Sequence, residues 1–554
     1  MRFMITFAIL TAFFAISEAK TLLFPIPQNV SWTGAQITLV DNFEITGAKN
    51  IHVQEAADRY RKLIHKERWV PVQVTDPQEL VEGEDLERLV ISVIDDQAKL
   101  DIHVDESYTL CVPAQGGEAS LKAATWIGAL RGLETFSQLV QAKEDALVAH
   151  TVDIQDAPTF THRGILLDTS RNFYPIKAMK RMIDAMAYNK MNVLHWHVTD
   201  SQSWPLYIQS HPELTQEGAY TQRMVYSRHD VKALIRHGQS RGIRILPEID
   251  MPAHTDSIAL SHPELVACHG LWWGDYAAEP PAGQLNVIHP GTTELVQDII
   301  RDVTYRFPDS LYHAGGDEIN PHCWPTNPEM AAYVSQHNVT YNDLWHNFTD
   351  QVVDYVSQQN KRIVFWEDSI HPNISKEAVV QTWLSPAWKY TTVGHDVIIS
   401  NYDYFYLDCG SGGWLGNDTS YISPLQVETP NDTSNYGGSG GSWCAPFKTW
   451  QRIYSYDMTF NITDKDRVLG GEVALWSEQS GPTVLDGRLW PRSSAAAEIY
   501  WSGSYDVQGM RRTLEEVQPR FNDWVLRLMD RGIDAEPNTP RWCLLHPNQC
   551  NVEQ

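Results

Sequence analysis

The chain has 554 residues, of which 43% are hydrophobic and 20% charged, the composition of an ordinary soluble globular protein of two or three domains. Its formal net charge of −26 at pH 7 argues against nucleic acid and anionic membranes as partners. The 20 Trp and 23 Tyr residues favour carbohydrate as a ligand, because aromatic faces stack on sugar rings, although core packing accounts for most of them.

Residues 1–19 have the features of a secretory signal peptide. Arg2 supplies the positive charge, Met4 to Ile16 form the apolar run, and Ser17-Glu18-Ala19 matches a cleavage site. This run is too short to cross a membrane, and no later segment reaches about 18 apolar residues, so no membrane span is expected. We predict a secreted, extracellular protein, with a lysosome or vacuole as the alternative destination.

Seven Asn-x-Ser/Thr sequons agree with passage through the secretory pathway. The predicted glycosylation sites are Asn29, Asn338, Asn347, Asn373, Asn417, Asn431 and Asn461.

The mature chain keeps all seven cysteines, which should pair in an oxidising compartment. Sequence order suggests the disulfides Cys268–Cys323, Cys409–Cys444 and Cys543–Cys550, with Cys111 left as a free thiol. A zinc site is the alternative, but no pair has C-x-x-C spacing.

Residues 20–157 are predicted to form a small α+β domain. Short β-rich runs at 36–40, 88–94 and 108–112 alternate with two helical patterns, the second near Ala123–Leu139. This zone carries no obvious chemistry. Asp156-Ala-Pro158 marks its end.

Residues 158–510 are predicted to form a (β/α)₈ TIM barrel, because short apolar strands alternate there with amphipathic helices. A doubly wound open sheet is the competing α/β fold, but no Gly-rich phosphate loop follows the first strand. The eight strand candidates are Gly164–Asp168, Val193–His197, Arg244–Ile249, Leu311–Gly315, Arg362–Trp366, Val379–Trp383, Asp396–Asn401 and Gly471–Trp476.

Acidic and aromatic residues follow these strands so often that they should converge on one pocket at the carboxyl-terminal face of the barrel. The candidates are Asp168, His197, Asp200, Glu248, Asp250, His254, Asp317, Glu318, Trp366, Glu367, Trp383, Tyr406, Asp408, Trp476 and Glu478. His195 and His197 flank Trp196 at strand spacing, so both can face the barrel interior. A metal site there is conceivable, but core packing is favoured, and we predict no metal and no cofactor.

Residues 511–554 are predicted to form a last helix and a disulfide-stapled tail. Its apolar stripe, which includes Leu514, Phe521 and Leu528, suits packing against the barrel or against a dimer partner. We expect a homodimer.

The most informative segment is Leu311–Glu318, an apolar run that ends in Gly-Gly-Asp317-Glu318. Two glycines let the backbone turn sharply and a ligand approach closely. Neighbouring acids with different surroundings can hold different protonation states, which cleavage of a glycosidic bond requires. The alternative is a solvated Asp-Glu pair at the end of a strand.

Four segments of the chain resemble glycoside hydrolase family 20, the β-N-acetylhexosaminidases. They are His162–Arg171, Met186–His197, His313–Glu318 and Ala474–Glu478. The insertion between Tyr406 and Cys444 is similar to that of secreted fungal and arthropod members.

The resemblance implies an exo-acting, retaining enzyme in which the 2-acetamido oxygen of the substrate is the nucleophile. Glu318 would be the general acid/base and Asp317 would orient the acetamido group, with Asp200 and His254 in support. Trp366, Trp383 and Trp476 would wall the pocket, and Tyr406 would bind the acetamido carbonyl. The residues expected to bind sugar hydroxyls are Asp408, Glu478 and Arg163.

The expected substrate is an amino-sugar oligosaccharide or glycoconjugate. An endo-acting chitinase is one alternative, which would release dimers from a chitin oligomer. The other is a catalytically silent carbohydrate-binding protein on the same barrel, but such a protein should lose one of the two acids, and this chain retains both.

Overall fold

A computed structural model describes residues 22–72, 79–80, 85–411, 443–546 and 549–550. The predicted signal peptide lies outside these residues. The first seven strands are β1 (Asn29–Thr46), β2 (Glu79–Leu80), β3 (Leu86–Asp95), β4 (Tyr108–Val112), β5 (Gly117–Thr125), β6 (Val140–Lys143) and β7 (Ala146–Asp156). They form one mixed sheet in the order β2-β1-β3-β5-β4-β7-β6, and β1 also pairs with β7.

Two helices, α1 (Ile51–Glu67) and α2 (Trp126–Leu139), pack on this sheet through a common apolar core. Helix α2 starts at Trp126 because the Thr125 side chain accepts a hydrogen bond from the Gly128 backbone amide. The helical pattern predicted from Ala123 therefore begins three residues early, since 123–125 complete strand β5.

The later strands are β8 (His162–Asp168), β9 (Val193–Thr199), β10 (Arg244–Ile249), β11 (Val266–Ala267), β12 (Gln284–Leu285), β13 (Leu311–His313), β14 (Arg362–Trp366), β15 (Val379–Thr382), β16 (Val397–Ile399) and β17 (Val468–Leu475). Eight of them are parallel and close into a barrel in the order β8-β9-β10-β13-β14-β15-β16-β17. Strands β11 and β12 form a separate antiparallel pair. The predicted (β/α)₈ barrel with a preceding α+β domain is confirmed.

The remaining helices surround the barrel and complete the chain. They are α3 (Ile176–Tyr188), α4 (Glu213–Gly218), α5 (Arg228–Gln239), α6 (Asp256–Ala259), α7 (Trp273–Tyr276), α8 (Pro290–Arg306), α9 (Pro328–His337), α10 (Tyr341–Gln358), α11 (Trp388–Thr391), α12 (Tyr402–Phe405), α13 (Trp450–Tyr454), α14 (Leu485–Leu489), α15 (Arg492–Ser502), α16 (Leu514–Asp530) and α17 (Arg541–Leu545).

The barrel interior changes from apolar to ionic along its axis. Near the starts of the strands, Val193, Leu311 and Val379 belong to a small apolar cluster that Ile102 of the first domain joins. Further along, the buried carboxylates of Glu248 and Glu472 are surrounded by histidines. The apolar cluster therefore fills part of the end of the barrel that faces the first domain.

The apolar face of α16 packs within the chain. Phe521 stacks on Trp450 at 4.4 Å between ring centroids, and the Trp524 indole donates to the Asn189 side chain at 2.8 Å. This stripe therefore gives the expected homodimer no support, and the dimer stays a prediction.

Three disulfides join Cys268 to Cys323, Cys409 to Cys444 and Cys543 to Cys550, the pairs that sequence order suggests. Cys111 is a free, half-buried thiol. Across the described ranges, no helix is long and apolar enough to cross a membrane.

Five of the seven sequons fall in the described parts of the chain, and all five asparagines are exposed: Asn29, Asn338, Asn347, Asn373 and Asn461. Asn417 and Asn431 lie outside the described residues, as does most of the insertion between Tyr406 and Cys444.

Candidate active site

The Gly315-Gly316 turn folds the backbone after β13 into the mouth of the barrel. Both glycines have positive φ, +62° and +94°. The Gly316 amide donates to the Asp250 carboxylate at 2.7 Å, and the Ser369 hydroxyl donates to the Gly316 carbonyl at 2.7 Å. A side chain at Gly315 would collide with Asp250, since its Cβ would lie 1.9 Å from Oδ1. This close packing explains why two glycines precede the acids.

Asp317 is a carboxylate without enough partners. Among the described residues, no hydrogen-bond partner reaches its buried Oδ1. Loss of water raises its pKa well above the ordinary range, and the neighbouring carboxyls of Asp250 and Glu318 raise it further. A ligand that donates an N–H to Asp317 would satisfy this oxygen and stabilise its charge.

Glu318 begins a chain of closely spaced ionisable side chains. Its carboxylate lies 3.3 Å from His254 Nε2, and His254 Nδ1 lies 3.1 Å from the buried Asp200 carboxylate. Burial alone would lower the pKa of His254, but Asp200 outweighs it and holds that pKa well above its usual value. Glu318 keeps 32% of its side-chain surface exposed, so water and ligand can reach it. Glu318 and His254 both adopt positive φ, 53° and 56°, a strained conformation that often accompanies function.

The chain continues into the barrel. Asp200 also contacts His197 at 2.9 Å, and His197 contacts Glu248 at 2.6 Å. Glu248 in turn accepts a hydrogen bond from the Trp366 indole at 2.8 Å. The same network therefore orients the supporting pair and one wall of the pocket.

Aromatic rings surround the space beside the two acids. Trp366 and Trp476 lie 6.0 Å apart between ring centroids, and Tyr406 lies 6.1 Å from Trp476. Trp383 and Tyr406 are nearly parallel at 6.5 Å. Trp443, which is 65% exposed, packs edge-on against this pair and extends the aromatic surface outward.

Two further acids stand at the pocket. Loss of water raises the pKa of Asp408 to about 7 and that of Glu478 well above its ordinary value. Asp408 Oδ1 is buried with no hydrogen-bond partner in the described ranges. The Leu407 amide bonds to the Ala474 carbonyl at 2.8 Å, which fixes the segment that carries Asp408 beside β17, whose end leads to Glu478.

Arg163 is a correction to the predicted site. It sits near the start of β8, at the end of the barrel opposite the acids, and it is completely buried. Its guanidinium lies 2.8 Å from Glu106 of the first domain and donates to the backbone carbonyls of Phe160 and Lys190. Arg163 therefore holds the two domains together and cannot reach a sugar in the pocket.

Arg171, unlike Arg163, lies at the end of the barrel that carries the acids. It lies 2.8 Å from Asp200 and 3.5 Å from Asp168, and it stacks over the Trp476 ring at 5.3 Å. One sequence signal points to this residue, since Arg171 follows the end of the first barrel strand, although an ion pair with Asp168 alone also explains that position. The charge of Arg171 lowers the pKa of Glu478, which places the two side chains near each other.

Glu367 holds a loop of the pocket in place, a role that the sequence did not indicate. Its carboxylate accepts hydrogen bonds from the backbone amides of Trp383, Leu384 and Ser385 at 2.6–3.1 Å. Asp368 accepts from the Trp383 indole at 2.7 Å. These two acids fix the loop that presents Trp383.

The carboxylates around His254 are spaced closely enough to hold a cation, both with Asp200 and Asp250 and with Asp317 and Glu318. The Nδ1 nitrogen of His254 hydrogen-bonds to Asp200 at 3.1 Å, and its Nε2 nitrogen lies 3.3 Å from Glu318 in an ion pair. The arrangement suits proton transfer at Glu318 and charge stabilisation at Asp317.

Comparison with known proteins agrees with this geometry. Residues 160–504 match the family model "Glycosyl hydrolase family 20, catalytic domain", and residues 23–139 match "beta-acetyl hexosaminidase like". A "Probable beta-hexosaminidase" of Arthroderma benhamiae is 37% identical over 95% of this chain and 93% of its own length. A "Chitooligosaccharidolytic beta-N-acetylglucosaminidase" of Bombyx mori is 34% identical over 81% of this chain and 75% of its own.

Among solved structures, the chitobiase of Flavobacterium johnsoniae is 26% identical with a TM-score of 0.72, covering 92% of this chain and 73% of that one. The chain therefore belongs to glycosyl hydrolase family 20 and is a glycoside hydrolase.

Proposed function

We propose that the protein is an exo-acting, retaining β-N-acetylhexosaminidase that removes terminal N-acetylglucosamine or N-acetylgalactosamine from an amino-sugar oligosaccharide or glycoconjugate. The main support for this proposal is the buried Oδ1 of Asp317, which no described residue hydrogen-bonds, beside Glu318 in an aromatic pocket. The names of the Arthroderma and Bombyx relatives agree with an N-acetylhexosamine substrate.

In the first step, the acetamido oxygen attacks the anomeric carbon of its own ring while the glycosidic bond breaks. Glu318 gives its proton to the departing oxygen. The nitrogen of the acetamido group gains positive charge as the oxazolinium ring forms, and Asp317 accepts the N–H hydrogen bond. Because Asp317 is poorly solvated, its charge should stabilise that nitrogen more strongly than a hydrated carboxylate would.

In the second step, water opens the oxazolinium ring at the anomeric carbon. Glu318, now a carboxylate, takes the proton from this water and is restored. His254 is held beside Glu318 by Asp200, so it supports the negative charge that Glu318 carries between the two steps. Two displacements at one carbon retain the β configuration.

The remaining roles concern sugar binding. Trp366, Trp383 and Trp476 would enclose the ring and the acetamido methyl group, and Tyr406 would donate to the acetamido carbonyl. Asp408 and Glu478 would accept hydrogen bonds from sugar hydroxyls, and their raised pKa values reflect the water-poor surroundings in which such bonds are strong. Arg171 takes the place of Arg163 in this set.

We also propose that the protein matures in the secretory pathway and works outside the cytosol. Three disulfides agree with an oxidising compartment. The predicted leader and the exposed sequons point the same way.

Replacement of Glu318 by Gln tests the assignment. Proton transfer by a positioned group contributes about 10²–10⁴-fold in rate, so turnover of a chitin disaccharide, which has a poor leaving group, should fall by about that factor. Binding of N-acetylglucosamine should stay near its original strength, because Gln keeps the shape of Glu. Steady-state kinetics and calorimetry on the purified variant measure both.

The exposed Glu377, replaced by Gln, is the matched control and should leave turnover unchanged. Full activity of Glu318→Gln would refute the role of Glu318. Release of dimers rather than monomers from a chitin hexamer would indicate the endo-acting alternative. Sugar binding by the original chain without any turnover would indicate a carbohydrate-binding protein.

A further inference from the structure

The pentapeptide Ser-His-Pro-Glu-Leu occurs twice in the chain, at 210–214 and at 261–265. The first copy lies in the loop after β9 and leads into α4, which starts at Glu213. The second lies after β10 and includes a short 3-10 helix, Pro263–Leu265. Neither copy belongs to the catalytic pocket. The fold nevertheless brings the two together.

The two histidines meet at one carboxylate oxygen. His211 Nδ1 lies 3.0 Å and His262 Nε2 lies 3.2 Å from Oε1 of Glu213. The three ligand atoms all fall within 4.8 Å of one another. Tetrahedral coordination with bonds of about 2.0–2.1 Å separates neighbouring ligand atoms by roughly 3.3 Å. The spacing is therefore close to that of a metal site before any ion enters.

An outer carboxylate orients the His211 ring, as carboxylates do around bound metals. Asp298 Oδ2 lies 3.2 Å from His211 Nε2, the nitrogen that faces away from Glu213. Arg301 holds Asp298 through its other oxygen at 2.7 Å. On the second ring, Glu264 lies 3.8 Å from His262 Nδ1, which is beyond hydrogen-bond distance. A carboxylate behind a histidine fixes the ring and makes its free nitrogen a better ligand.

The accessibility of the cluster also suits an ion. The side chains of His211, Glu213 and His262 are 18%, 35% and 22% exposed. They are thus held in place by their surroundings, yet an ion and a coordinating water molecule can enter. Two imidazole nitrogens and one carboxylate oxygen suit Zn²⁺, Ni²⁺ or Cu²⁺, whereas Ca²⁺ and Mg²⁺ prefer oxygen ligands alone.

We propose that His211, Glu213 and His262 bind a divalent transition-metal ion of the Zn²⁺ type, with water completing the coordination. The site clips the loop after β9 to the loop after β10. These loops also carry Asp200 and His254, so the ion stabilises the part of the barrel from which the supporting pair projects. This departs from the absence of metal expected from the sequence, where the two pentapeptides stand 51 residues apart.

The proposal is tested on the untagged, full-length protein after chelation and dialysis. Calorimetry with ZnCl₂ at pH 7.5 should show a tight site that Glu213→Gln and His262→Ala lose, and Zn²⁺ should raise the thermal midpoint of the original chain only. Ca²⁺ should not raise it.

Two further variants keep the result interpretable. His237 is a comparable half-buried histidine, 3.0 Å from Asp184 but without a second histidine, so His237→Ala should retain the site. Asp298→Asn keeps all three ligands and should lower the affinity for Zn²⁺ by about 10–100-fold. If the original chain bound Zn²⁺ no more tightly than the folded Glu213→Gln variant, the assignment would be overturned. If Asp298→Asn bound Zn²⁺ as tightly as the original chain, the proposed role of Asp298 in orienting His211 would be wrong.

Discussion

At the scale of single residues, the unusual feature is how many ionisable side chains are buried inside the barrel. Branched aliphatic residues usually fill this space. Here His195 lies 3.0 Å from Glu248 and 2.9 Å from Glu472, and all three are completely buried. Burial lowers the pKa of His195, but the two carboxylates more than compensate and raise it to about 9. Each carboxylate needs this positive charge, because a buried, unpaired charge is strongly unfavourable.

The raised pKa of His195 predicts a loss of stability in mildly alkaline solution. A group whose pKa rises on folding stabilises the native state fully below its unfolded pKa of about 6.5. That contribution, on the order of 3 kcal/mol, is lost as the pH rises through about 9. The thermal unfolding midpoint of the original chain should therefore decrease between pH 6.5 and pH 9.

Replacement of Glu472 by Gln provides the comparison. It removes one of the two carboxylates that raise the pKa of His195 and leaves Glu248 in place. The variant should be less stable at pH 6.5 and should show a shallower decrease towards pH 9. An identical slope in both proteins would mean that other groups titrate in this range.

The location of a site residue could be predicted from the sequence where its neighbours in the chain determine it. Asp317 and Glu318 follow the double glycine directly, so their place at the mouth of the barrel follows from the strand before them. Arg163 and Arg171 were harder, because both flank the first strand and only the end of the barrel distinguishes them. Glu106, which binds Arg163, lies 57 residues away in the first domain, and no local pattern reveals that pair.

At the scale of elements, the turn after β13 sets the geometry of the site. Replacing Gly315 by Ala would put a Cβ 1.9 Å from Asp250 Oδ1 and 2.7 Å from its Cα, at a φ of +62°. Because backbone cannot move away as a flexible side chain can, we expect the turn to be displaced and turnover to fall at least tenfold. Thermal unfolding and kinetics of Gly315→Ala measure the two effects.

Gly270→Ala is the control that distinguishes backbone strain from steric collision. Gly270 also has a positive φ, +73°, but a Cβ there would have no atom within 4 Å. Gly270→Ala should cost only the backbone strain, about 1 kcal/mol, with turnover unchanged. Similar losses of turnover in both variants would show that the conformation of Gly315, not its contact with Asp250, matters.

The barrel strands that were predicted from hydrophobic periodicity are confirmed by the structure. All eight predicted strands form the barrel, since parallel strands buried on both faces are short apolar runs. The ends of the strands do not follow from the hydrophobic periodicity, because hydrogen-bond pairing sets the end of a strand. The last predicted position of the fourth strand, Gly315, lies beyond β13, which ends at His313.

At the scale of the whole molecule, a buried ion cluster joins the first domain to the barrel. Glu106 lies 2.7 Å from Arg131 of α2 and 2.8 Å from Arg163 of β8. Arg131 also donates to the Gly242 carbonyl at 2.7 Å, just before β10. At this point of the interface one carboxylate is shared by two arginines, and this contact accounts for the location of Arg163 away from the pocket.

Replacing Glu106 by Gln should destabilise the protein without changing the affinity of the pocket for its sugar. Removing one partner of a buried ion pair typically costs about 3–5 kcal/mol, because the charges that remain are unpaired. Glu118 offers a matched control, since its pair with Arg88 is exposed and Glu118→Gln should cost about 0–1 kcal/mol. Thermal unfolding measures both changes, and calorimetry with N-acetylglucosamine checks the pocket.

The contribution of this ion cluster to the stability of the protein should also depend on pH. Burial raises the pKa of Glu106, but Arg163 and Arg131 outweigh it and lower that pKa to about 2. A carboxyl whose pKa falls on folding stabilises the native state above its unfolded pKa of about 4.3, and this contribution disappears as the pH falls towards 2. The difference in thermal midpoint between the original chain and Glu106→Gln should therefore be largest near neutral pH and narrow in acid. A constant difference across this range would show that Glu106 acts through packing rather than through its charge.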